Sequence, residues 1–209
     1  GTKRGGMAAY DEKKGLQRDI HNIENSPFRT KFEHDLEEMR GIAAIGAISD
    51  TDPQPMLIRS RSGAYAISTI GIVNNADALI QEIVNDGGHF DAMTGGKVNS
   101  TELVAALINQ KDSYVEGIQY AQKMIEGSMS MLILTQDGMY AARDAKGRTP
   151  IIIGKKEDAY CATFESSAFL NLGYQTYKEL GPGEVDFITA DGVEVFVEPK
   201  EEMKICTFL

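Results

Sequence analysis

Three histidines, two cysteines and a lysine behind a glycine pair are the side chains of this 209-residue sequence that invite metal, nucleophilic or phosphate chemistry. His21 falls in a strand-like stretch, His34 on the polar side of a predicted helix and His89 in a glycine-rich loop. Metal sites draw ligands at short, characteristic spacings, and these three share none. The expectation is no metal, no cofactor and no catalytic role for any of them. Cys161 and Cys206 each sit in a short apolar stretch that reads as a strand, so both are expected to be buried thiols rather than nucleophiles. Thr94-Gly95-Gly96-Lys97 looks superficially like a phosphate loop. It lacks the earlier glycine, and Val98 stands where a Ser or Thr should follow the lysine, so it reads as a turn.

A stronger signal is a series of phrases in fixed order. The run at 127–134 opens on Gly127-Ser128-Met129-Ser130, and Asp137-Gly138-Met139-Tyr140-Ala141-Ala142-Arg143-Asp144 follows it. Gly147, Pro150, Glu165-Ser166-Ser167-Ala168, Gly173 and Pro182-Gly183-Glu184 come next. This order resembles the second half of class II glutamine amidotransferase domains, above all those of amidophosphoribosyltransferases. Upstream, Arg4-Gly5 looks like the family's Arg-Gly pair. Gly46, Gln54-Pro55 and residues 71–79 fall where the family has its glutamine-site loop and the strand-to-helix passage after it. One departure is Arg148-Thr149-Pro150, since the family usually places its Arg directly before the Pro.

The resemblance implies an N-terminal-nucleophile hydrolase fold, a four-layer αββα sandwich. It also implies a reaction in which an N-terminal Cys attacks the glutamine amide while its own α-amine serves as base. An Asn side chain and a Gly backbone N–H stabilise the oxyanion, an Arg holds the glutamine carboxylate and an Asp its ammonium. Place by place, this sequence departs from that set. No Cys lies near the start, and Thr2 is not terminal. The oxyanion Asn falls on Ile70, before a retained Gly71. The Arg falls on Ser49, the His preceding it on Ala47, and the Asp on Ser100. Losing one oxyanion donor slows such chemistry about 10²- to 10³-fold, and here the contacts to both ends of the amino acid go with it. The expected catalytic set is therefore empty. Ile70 and Gly71 form a degenerate oxyanion position, and Arg4, Ser49, Gly71 and Ser100 a remnant substrate pocket.

The resulting expectation is an amidotransferase-like domain over residues 1–209, without glutaminase activity, in a structural or regulatory role within an amidophosphoribosyltransferase-like protein of purine biosynthesis. The alternatives are an active amidotransferase supplying ammonia for phosphoribosylamine synthesis, its Cys lying in missing N-terminal sequence, and a divergent hydrolase acting on another amide. The chain opens on Gly1 and closes inside the apolar run 205–209, so both ends are expected to be cut. The family's C-terminal phosphoribosyltransferase domain is absent from these residues. Expected partners are such a domain or subunit and a second copy of the chain.

The elements that must position these residues can also be read. Residues 7–10 and 16–23 read as two strands, and Ser26 as the N-cap of a helix with Phe28, Phe32, Leu36 and Met39 on one face. Runs at 42–49, 56–61 and 64–73 read as three strands. Asn75 caps a second predicted helix, Asn99 with Glu102 resembles a capping box, and a further helix carries Tyr114, Ile118, Ala121 and Ile125. Strands are expected at 129–135, 139–143, 151–154 and 160–163, and a short helix at 166–172. Asp137-Gly138 and Asp191-Gly192 signal tight hairpins at 129–143 and 184–197. Hairpins with helices in grouped pairs argue for an α+β fold of two antiparallel sheets with helices outside, not a parallel doubly wound sheet. Composition agrees with a folded domain: 42% apolar and 25% charged residues exclude general disorder, and a net charge of -10 argues against nucleic acid as a partner. No apolar run approaches the roughly 18 residues of a membrane span, so no membrane partner is expected and the cytoplasm is the expected location.

Overall fold

The computed structural model describes residues 2–203. In chain order, β1 (Arg4–Asp11) and β2 (Gly15–Asn22) form a hairpin, followed by α1 (Phe28–Glu38), β3 (Ala43–Ser49), β4 (Met56–Ser60) and β5 (Gly63–Val73). Then come α2 (Ala76–Asn85), a small hairpin of β6 (Met93–Thr94) and β7 (Lys97–Val98), α3 (Ser100–Ile108) and α4 (Tyr114–Met124). The second half holds β8 (Gly127–Leu134), β9 (Met139–Ala142), β10 (Ile152–Lys156), β11 (Ala159–Thr163), α5 (Ser167–Leu172), β12 (Gln175–Glu179), β13 (Val185–Ile188) and β14 (Val193–Val197).

A six-stranded sheet in the order β14-β13-β9-β8-β5-β4 is the backbone of the molecule, and every strand pairing among the described residues is antiparallel. Side chains alternate across a strand, and β8 shows what this does. Its Met131 and Ile133 point into one core with α2, α3 and α4, while Leu132 and Leu134 point into another with β1, β3 and β10. Both faces are covered, which is why 131–134 reads as an unbroken apolar run rather than an alternating one. The layer beyond the second core consists of two three-stranded sheets, β2-β1-β3 and β11-β10-β12. Outside them lie α1, whose Phe28 and Phe32 rings stack and close over Gly5, and α5, whose Phe169 sits on Gly154. The result is the expected four-layer αββα sandwich. Among the described residues, no helix is long and apolar enough to cross a membrane.

Several local expectations change in detail. Pro27, not Ser26, occupies the N-cap of α1, which starts at Phe28. Asn75 sits at the N-cap of α2 but makes no capping bond. Its amide instead donates to the Met124 carbonyl and accepts from the Glu126 N–H, clamping the start of α2 to the exit of α4. Asn99 does cap α3, accepting from Thr101 N at 2.8 Å and Glu102 N at 3.3 Å. Glu102 does not complete a capping box; its carboxylate holds the N–H groups of Asp91 and Ala92, at 2.8 Å each. The Asp-Gly hairpins share a Thr-x-Asp-Gly turn: Thr135 N donates to Gly138 O and Thr189 N to Gly192 O, both at 2.9 Å. The loop centre lies one residue before each Asp-Gly pair. Gly95-Gly96 turns the β6–β7 hairpin. Strand β12 has no counterpart in the sequence reading, because Gln175, Thr176 and Glu179 are exposed and show no apolar alternation.

The phrase that carries most of the family resemblance serves this scaffold. Buried Arg143 donates from Nη1 to the Leu180 carbonyl and to Glu179 at 3.0 Å, and from Nη2 to Gly147 O at 2.7 Å. Buried Asp144 accepts the backbone N–H groups of Lys146, Arg148 and Thr149, shaping the turn that contains the displaced Arg148. Nearby, Lys178 bridges Glu184 and Asp186, its Nζ lying 2.9 Å from Asp186 Oδ2. Burial pushes the Asp186 carboxyl up to about 6, against the opposing pull of Lys178 and with support from Glu184.

Candidate functional site

The residues that the resemblance assigned to substrate converge on a cleft of about 320 Å³ at one end of the sandwich. Strand β3 supplies Ala47, Ile48 and Ser49; β5 supplies Ser68, Thr69, Ile70 and Gly71; the first turn of α3 supplies Ser100. The floor and far wall include Met129 and Phe164, and the loop after β3 adds Thr51, Asp52 and Gln54. Of the expected pocket, Ser49, Gly71 and Ser100 come together, and Ile70 joins them. Arg4 does not. It pairs with Ser49 across the β1–β3 ladder but is not among the residues lining the cleft. Thr2 lies apart as well, donating its N–H to Asp50 Oδ1 at 2.6 Å.

The loop after β3 is pinned on both sides. Gln54 Oε1 accepts the Thr69 N–H at 2.8 Å, which ties the loop to β5. Asp52 Oδ2 accepts from Ser100 N at 3.1 Å and Ser100 Oγ at 2.8 Å, which ties it to α3. Behind this, Thr69 Oγ1 and Thr101 Oγ1 share a hydrogen bond of 2.7 Å. Ser49 Oγ faces its own loop and accepts from Thr51 N at 3.1 Å.

Gly71 has an explanation independent of chemistry. Its φ is +145°, and a Cβ there would lie 1.8 Å from the Ser128 carbonyl oxygen on β8. Only glycine lets β5 and β8 approach so closely at this register. Ile70 lines the cleft as expected, but it does not fill a closed space: 43% of it is exposed. An asparagine there would reach solvent, so Ile70→Asn would bury no unpaired amide.

Two groups escaped sequence reasoning. Asp52 is the one ionisable side chain among those lining the cleft, supplied by the loop after β3 and not by the position of the family's Asp, which falls on Ser100. Among the described residues no cationic side chain pairs with it; it sits at the start of α3, accepting the Ser100 N–H. Ser68, 2% exposed, has a hydroxyl without a hydrogen-bond partner. The loop at 50–55 carries several polar residues, and nothing in its order marks which one meets α3.

The histidines take local partners: His21 meets Asp35, His34 lies 3.3 Å from Glu38 and His89 lies 3.9 Å from Asp91. Cys161 is half-buried on β11, and burial raises its thiol, so it is poorly suited to act as a nucleophile. Cys206 lies outside the described residues.

A family model described as a glutamine amidotransferase domain matches residues 41–171. The amidophosphoribosyltransferase of Bacillus subtilis is 30% identical over 171 residues, covering 77% of this chain and 35% of that protein. The Archaeoglobus fulgidus amidophosphoribosyltransferase is 26% identical, covering 100% of this chain and 46% of the relative. Among solved structures, glutamine phosphoribosylpyrophosphate amidotransferase from B. subtilis, complexed with ADP and GMP, matches with a TM-score of 0.85 and 27% identity, over 99% of this chain and 45% of that one. A glutamine aminotransferase class-II domain protein from Silicibacter pomeroyi, with a TM-score of 0.52 and 15% identity, shares the fold alone. The chain thus spans less than half the length of these amidophosphoribosyltransferases.

Proposed function

The chain belongs to the glutamine amidotransferase domain family, and from that premise we propose that it is an amidotransferase domain that keeps the fold and has lost glutamine hydrolysis. It serves a structural or regulatory role in an amidophosphoribosyltransferase-like protein of purine biosynthesis. The observation that supports this reading is that Ile70, Ser49 and Ser100, which the resemblance aligns with an oxyanion donor, a carboxylate clamp and an ammonium clamp, line one cleft.

Glutamine is a zwitterion with a polar reacting end. Holding its carboxylate takes a charge-assisted, usually bidentate contact, and a serine hydroxyl is no substitute for a guanidinium. The tetrahedral oxyanion needs a donor already aimed at it, and an isoleucine has none to offer. Restoring a thiol nucleophile would leave these defects in place. Retention of Gly71 lends the active alternative no weight, since the close approach of β8 requires glycine there in any case.

The proposed partner is a phosphoribosyltransferase domain or subunit, supported by relatives that extend well past the matched segment. A second copy of the chain and a cytoplasmic location complete the proposal. Titrating the 209-residue chain with glutamine by calorimetry should give no saturable isotherm in the micromolar range, and neither it nor its Ile70→Asn variant should release ammonia from glutamine. A micromolar isotherm, or ammonia release by either protein, overturns the reading.

A further inference from the structure

The cleft combines three unmet needs. Asp52 is bonded only by neutral donors of Ser100, through Oδ2, and its Oδ1 has no partner among the described residues. A carboxylate in a recess without a counter-charge favours a cation. Ser68 holds a buried hydroxyl with no partner, and buried hydroxyls are normally satisfied. It lies two residues before Ile70 on β5 and so projects from the same face. The walls around these groups are apolar at Ile48, Ile70 and Phe164.

We propose that this cleft binds a short aliphatic primary amine that carries no carboxylate, its ammonium held by Asp52 and its hydrogen-bonding tail or remaining N–H groups meeting Ser68. This rests on the reading of the glutamine site as degenerate and adds the class of ligand that replaces the amino acid. An amino acid brings a carboxylate that would find no cation and would meet the like charge of Asp52. An amine brings only what the cleft lacks. The volume, about 320 Å³, lies at the small end of the range for small-molecule sites.

The test is calorimetric titration of the 209-residue chain with 4-aminobutanamide, which is glutamine without its carboxylate, with n-butylamine, and with 4-carbamoylbutanoate, which is glutamine without its amine. Asp52→Asn keeps an acceptor for Ser100 and removes only the charge, and circular dichroism checks that it folds. Saturable binding of 4-aminobutanamide is expected, weakened at least about tenfold in Asp52→Asn and about threefold in Ser68→Ala, with no binding of 4-carbamoylbutanoate. Silence from both amines, or equal amine affinity in the wild type and Asp52→Asn, overturns the proposal. If the amines and glutamine are all silent, this proposal alone fails and the degenerate site stands. If glutamine binds as tightly as 4-aminobutanamide, both fail.

Discussion

Replacing Gly71 by alanine separates a structural glycine from a chemical one. Two penalties act at this position. Residue 71 has a φ of +145°, a region that side chains with a Cβ avoid at a cost of about 1–3 kcal/mol. The added Cβ would also sit 1.8 Å from the Ser128 carbonyl oxygen, a backbone atom that cannot swing aside, so β5 and β8 must part. Overpacking of this kind costs about 1–3 kcal/mol more. The sum, about 2–6 kcal/mol, is a large share of the roughly 5–15 kcal/mol available to a domain. Gly15 is the control: its φ is +73°, but a Cβ there meets nothing within 4 Å, so Gly15→Ala should bear the backbone penalty alone. Urea unfolding followed by circular dichroism measures both variants. If Gly71→Ala loses no more stability than Gly15→Ala, the clash argument is wrong, and the glycine is not explained by the strand contact.

Asn99→Ala should cost about 1–2 kcal/mol in the same assay, because it removes the acceptor for Thr101 N and Glu102 N at the start of α3; a loss below about 0.3 kcal/mol would mean the cap is idle. Asp186 makes a pH-dependent prediction. Its folded carboxyl is raised to about 6 from 3.8, so between these values the folded state holds a proton that the unfolded chain has shed, and stability falls as pH rises through that window. Asp186→Asn should therefore gain on the wild type between about pH 4 and 6, by an amount on the order of 1–3 kcal/mol, and track it in parallel above. Thermal melts of both proteins from pH 4 to 7 that stay parallel throughout would contradict the assignment.

Much of the architecture was legible because its signals are local. The Thr-x-Asp-Gly turns announce their hairpins, and the runs at 64–73 and 129–135 are apolar because β5 and β8 each lie between layers. Strand β12 escaped notice because its side chains are mostly exposed, so burial left no periodic mark on Gln175, Thr176 or Tyr177. Asn75 shows a different limit: the residue type fits a cap, yet its amide serves Met124 and Glu126, about 50 residues away, which no local pattern encodes. The cleft was half legible. Order along the chain pointed to Ser49, Ile70 and Ser100, which line one cleft, whereas Arg4 lies outside that lining and Asp52 and Ser68 join it through contacts between distant segments.

The pairing of Gly71 with Met129 also orders events in time. A chain made from its N-terminus releases the β4–β5 hairpin, α2, α3 and α4 before β8 exists, and β5 must wait with one edge open until the segment at 127–134 emerges. The cleft also takes Met129 and Phe164 into its lining, more than fifty residues downstream of Gly71, so it is completed only after the second half of the chain begins to fold. A nascent chain halted before residue 127 would therefore present the helices and hairpin as an unfinished surface, with β8 still missing from between the layers.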